Sequence, residues 1–139
     1  MNDFSDVIFL MVAMVVFSML TINTSRSFMN TTSTSIQSTI EYRAIALAQD
    51  ELDNIRWAPE IHLNPTSNQY LFDSDPITTT VEYGSSDEFS EEYEVTRNSV
   101  LIENTSTQKQ YRVTVQVTSD ATDPPVQVQL EYIKTYFKE

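Results

Sequence analysis

The first 57 residues contain neither Gly nor Pro, and they open with an apolar run over residues 7–20 in which Ser18 is the single hydroxyl. Such a stretch predicts one continuous helix ending at Trp57, with a first half built to leave water. A helix rises about 1.5 Å per residue, so a rod of this length reaches roughly 85 Å. That is far more than the remaining 82 residues need to close a core of their own. The surplus is expected to pack against something outside this chain.

Composition removes most familiar chemistry. There is no cysteine, so neither a disulfide framework nor a thiolate metal site is available. His62 is the only histidine and Gly84 the only glycine, which excludes histidine-cluster metal sites and glycine-rich phosphate loops. His62 has no recognisable base or nucleophile to work with, and an enzyme is not expected. No cofactor is expected either.

The formal charge is −12, and no Lys or Arg occurs between Arg56 and Arg97. Glu60, Asp73, Asp75, Glu82, Asp87, Glu88, Glu91, Glu92 and Glu94 all fall in that interval. A surface of this sign repels phosphate backbones, so nucleic acid is not an expected partner. The simple reading is a solvated acidic wall. Asp87, Glu88, Glu91 and Glu92 offer oxygens to calcium but lack a regular ligand spacing, and no metal site is assigned to them.

Extending the apolar run to residues 4–22 gives close to the roughly twenty residues that a bilayer span requires, at the cost of including Asp6. A secretory signal has a basic flank before its apolar run; here the flank carries Asp3 and Asp6, and Arg26 lies beyond. The expectation is that a basic leader preceded Met1 and has been removed. A carboxylate at the edge of an apolar helix calls for a cation, and a free amino group at Met1, its own or a neighbour's, would supply one. The other reading places Asp3 and Asp6 at headgroup level, favouring the positive end of the helix dipole.

Residues 21–39 are rich in Thr, Ser and Asn, which compete for backbone hydrogen bonds, so this zone is expected to bend, stretch or locally melt. Beyond it Ile36, Ile40, Ala44, Leu47, Ala48, Leu52 and Ile55 recur at spacings of three and four, an amphipathic stripe with something to cover. Pro59 and Pro65 end helical structure and begin a connector over residues 58–68, with Trp57 expected to anchor it against the sheet.

The period then changes to two. Ile77, Thr79, Val81 and Tyr83 alternate, as do Tyr111, Val113, Val115 and Val117, and then Val126, Val128, Leu130 and Tyr132. Gly84-Ser85-Ser86, Asn104-Thr105-Ser106 and residues 120–125 carry turn chemistry between strands, and a shorter strand pair is expected near residues 93–97 and 100–103. The strands flanking Asp123-Pro124-Pro125 should form an antiparallel hairpin. The fold class is therefore α+β: a long N-terminal helix whose second half packs on a C-terminal antiparallel sheet of four or five strands. Three segments are expected, an apolar helix over 1–27, an amphipathic continuation over 28–57 and an acidic sheet domain over 58–139.

These features resemble the type IV pilins and the pseudopilins of type II secretion. The similarity is carried by the apolar start, the unbroken helix, the run Ala44-Ile45-Ala46-Leu47-Ala48-Gln49-Asp50-Glu51-Leu52-Asp53-Asn54-Ile55-Arg56, and the closing strands over 111–119 and 126–137. That run is similar to the family's A-x-x-L-A-x-x-x-L-x-x-I-R pattern before the head domain. The resemblance implies a leader peptidase, a methylated first residue at Met1, and assembly machinery in the cytoplasmic membrane. It implies a homo-oligomeric, extracellular helical filament whose axis is built from Phe4, Val7, Ile8, Phe9, Leu10, Val12, Val16, Phe17 and Leu20. The family's glutamate behind the amino terminus is replaced here by Asp6, one position late, with Asp3 as a second candidate, and the family's helix-breaking Pro or Gly is missing.

Two other readings accompany the filament subunit: a minor pilin or pseudopilin acting at a tip or in a secretion piston, and a monomeric membrane-anchored module displaying its acidic sheet. Asn23, Asn30 and Asn104 open N-x-[ST] sequons, a pattern that permits glycosylation but more often reflects plain surface polarity.

Overall fold

The computed structural model describes residues 3–72, 77–83 and 89–138. Met1, Asp73, Asp75, Asp87, Glu88 and the turn read at Gly84-Ser85-Ser86 lie outside the described residues, as do the side chains of Asp3, Tyr83 and Phe89. A single helix, α1 (Asp3–Arg56), is followed by a short α2 (Glu60–Leu63) and by four strands, β1 (Ile77–Tyr83), β2 (Phe89–Asn104), β3 (Gln108–Ser119) and β4 (Val126–Phe137). The chain divides into two compact units, one ending at Ser38 and one beginning at Thr39.

The first unit is helix alone. Its Ser/Thr-rich zone does not melt: α1 runs through it unbroken. The hydroxyls expected to compete with the helix are instead absorbed by it. Ser18 Oγ donates to the Met14 carbonyl, and the Oγ1 atoms of Thr21, Thr24, Thr31, Thr32 and Thr34 donate to carbonyls four residues back, all at 2.8 to 3.0 Å. A hydroxyl bonded in this way has no donor left to offer elsewhere.

In the second unit the rest of α1 packs on the sheet. Ile40, Ala44, Ala48 and Ile55 are buried, with Leu47 and Leu52 partly buried beside them. Ala44 and Ala48 lack the bulk to hold the helix away, so the inward-facing Tyr93, Val95, Tyr111, Val113, Val115 and Val117 close directly over them. The covered stripe starts one turn later than expected: Ile36 is exposed. Trp57 is 85% exposed and anchors nothing, which corrects the role expected of it.

A side chain from the last strand fastens the end of α1. Lys134 Nζ donates to the carbonyls of Ile55 at 3.3 Å, of Arg56, and of Ala58 at 2.9 Å, while the Tyr136 hydroxyl donates to Ala58 at 2.6 Å. Helix ends leave carbonyls without partners, and a lysine there satisfies both the hydrogen bonds and the dipole. Burial nevertheless pushes the Lys134 ammonium below its ordinary value. The connector is not featureless either. Between Pro59 and Pro65 the chain makes the single turn α2, which buries Leu63 completely.

The sheet is an antiparallel meander in the order β1-β2-β3-β4. Ile77 sits opposite Val95, Ser99 opposite Val113, and Ser119 opposite Val126 across the hairpin expected at Asp123-Pro124-Pro125. The two short strands expected over 93–97 and 100–103 are one strand, β2, sixteen residues long with an irregularity between Leu101 and Glu103. Its middle reads as a break because Arg97 and Ser99 are polar residues on the inner face. Both are satisfied there: Arg97 Nη1 donates to Glu51 Oε2 at 3.1 Å, and Ser99 Oγ to the Leu63 carbonyl at 2.6 Å.

Candidate functional site

Of the residues expected to drive assembly, those whose side chains are described are at the surface. Phe4, Val7, Ile8, Phe9, Leu10, Val12, Val16, Phe17 and Leu20 are exposed on α1, with Phe4 at 79% and Phe17 at 73%. Asp6 is exposed among them; Asp3 is placed only as the first described helical residue, and Met1 is outside the description. By length and composition α1 is apolar enough to cross a membrane, and its most apolar window is not buried at all. A run of this kind around the whole circumference of a helix, with nothing of its own chain covering it, is a surface awaiting an apolar environment. One open furrow on its flank is lined by Phe17, Leu20, Thr21, Thr24, Ser25 and Phe28.

The acidic interval, by contrast, is not one cluster. Alternation along β2 turns Glu91 inward and leaves Glu92 exposed on the opposite face. Glu91 is 6% exposed, and its carboxylate accepts three bonds: from Arg43 Nη1 at 3.3 Å, from the Tyr93 hydroxyl at 2.6 Å, and from Ser119 Oγ at 3.3 Å. Burial and the neighbouring Glu91 carboxylate together raise the Tyr93 phenol well above its ordinary value. Among the described residues no three His, Cys, Asp or Glu side chains converge as a metal would require.

Glu60, also counted in the acidic interval, opens α2 and pairs with Lys109 Nζ while accepting the Tyr111 hydroxyl at 3.1 Å. The Lys109 hydrogen bond holds the Glu60 carboxyl below its ordinary value, and burial with the Glu60 hydrogen bond raises the Tyr111 phenol to about 12. These polar contacts tie α1 and α2 to the sheet. Sequence spacing did not reveal them, because Arg43 and Glu91 are 48 residues apart and Glu60 and Lys109 are 49 apart. The one available signal was an Arg at position 43 beside the apolar stripe.

Asn23 and Asn30 are exposed on α1 in the first unit. Asn104 is exposed at the end of β2, where its Oδ1 accepts Lys138 Nζ at 2.7 Å. The chain matches no protein-family model, no curated protein and no solved structure, so its fold and its exposed helix stand as the grounds for a functional reading.

Proposed function

We propose that this chain is the structural subunit of an extracellular, type IV pilus-like filament, polymerising through its N-terminal helix and presenting its acidic sheet domain as the outer wall. One observation carries the reading: α1 exposes fourteen large apolar side chains between Phe4 and Ile22, in a chain whose sheet domain already has a core of its own. At ~1.5 to 3 kcal/mol for each side chain, removing them from water is worth on the order of tens of kcal/mol. Lipid can provide that environment before assembly, and sister helices can provide it afterwards. The resemblance of residues 44–56 and of the closing strands to pilins favours sister helices as the final state.

Electron microscopy of material sheared from cells, with mass spectrometry of the same fraction, tests the reading. Long fibres composed of this chain are the expected result. Detergent-free preparations holding only single particles, with Val12 and Phe17 still labelled from the acyl-chain region, would instead make the chain a monomeric membrane-anchored module.

A further inference from the structure

Up to Ser38 the sequence carries three charged side chains, Asp3, Asp6 and Arg26. Asp3 is the first described residue of α1. Asp6 lies one turn further in, exposed between Phe4 and Val7. Any environment that takes in those neighbours takes in Asp6 as well, and a carboxylate withdrawn from water needs a cation. Arg26 of the same helix is out of reach, since twenty residues of helix span about 30 Å. Arg26 of a second copy is not.

The faces decide what kind of contact this makes. At about 100° per residue, twenty residues turn the helix by about 200°, so Asp6 and Arg26 occupy nearly opposite faces of α1. A closed two-fold pair needs both partners on one shared patch. Opposite charges on opposite faces instead make a head-to-tail contact, in which each copy offers its carboxylate to one neighbour and its guanidinium to another.

Resting on the filament reading above, we propose that parallel copies of α1 pack with an offset of twenty residues, Asp6 of one copy against Arg26 of the next, and that this pair sets the axial register of the polymer. The same offset brings Ala13, about 20° from Asp6 around the helix, level with Ser33, about 20° from Arg26. Both are small, which lets the two backbones approach closely. It also lays the hydroxyl-rich residues 27–38 beside the apolar residues 7–18 of the neighbour, and the hydroxyls of Thr31, Thr32 and Thr34 are already satisfied within their own helix.

The test uses the full chain, in two arms. Asp6→Arg and Arg26→Asp singly are expected to lower the yield of sedimentable fibres about tenfold or more, because each leaves like charges facing one another, and the two together are expected to restore it. Separately, Ala13→Cys with Ser33→Cys, in a chain that has no other cysteine, is expected to give an oxidised ladder well beyond the dimer, while either change alone gives none. Wild-type fibres with no ladder and no response to charge reversal would overturn the offset while leaving the filament standing. A ladder that stops at the dimer would overturn the head-to-tail arrangement. Wild-type material that never forms fibres would remove both proposals.

Discussion

Glu91 shows how a charge in an acidic stretch can belong to the core. With its side chain 5% exposed and three donors on its oxygens, removing it takes an acceptor from Arg43, from the Tyr93 hydroxyl and from Ser119. Glu91→Ala should cost about 3 kcal/mol or more of unfolding free energy, read from denaturant titration by circular dichroism, and Glu91→Gln less, since it keeps an acceptor for Tyr93. Trp57→Ala should change the same measurement by less than about 0.5 kcal/mol, because the ring touches little but water. Glu60 sets an acid limit. Its folded value is held below the ordinary 4.5, so its contribution is complete above that pH and is lost as the pH falls through the folded value. Lys109→Met should flatten this acid-side slope. At the alkaline end the signs reverse: Tyr111 and Tyr136 are raised to about 12 from 10.0, so their contribution is present below pH 10.0 and disappears between there and about 12.

At the scale of elements, the parts legible in the sequence were those whose buried face is apolar. The stripe from Ile40 to Ile55 and the alternation in β3 and β4 could be read because Ile, Leu and Val mark the inner positions. The full length of β2 was hidden for the opposite reason: Arg97 and Ser99 take inward positions that look like a turn until Glu51 and the Leu63 carbonyl are placed beside them. One turn of α2 is too short for periodicity to register, and the hydroxyls of the Thr/Ser zone looked like helix breakers because their partners, carbonyls four residues back, exist only once the helix has formed. The closeness of α1 to the sheet makes a sharp prediction. Ala44→Leu should destabilise the domain by about 1 to 3 kcal/mol, since Ala44 is fully buried and has no room to grow.

For the molecule as a whole, the candidate assembly surface was legible from composition alone, whereas the ties between helix and sheet were not, being contacts between residues almost fifty positions apart. Val12→Lys should test the surface: a lysine in the middle of a hydrocarbon-buried helix costs about 2.5 to 3.5 kcal/mol, and fibre yield and membrane retention should both fall. The clamp on the end of α1 carries a consequence for biogenesis. The carbonyls it seizes belong to Ile55, Arg56 and Ala58, and the lysine that seizes them is made 79, 78 and 76 residues afterwards. A nascent chain therefore lacks this clamp on the end of α1 until Lys134 has been made. Chains cut short before Lys134 should be cleaved faster near residues 55–58 than the whole chain, which limited proteolysis would read, so that β4 acts as a quality mark on the folded domain.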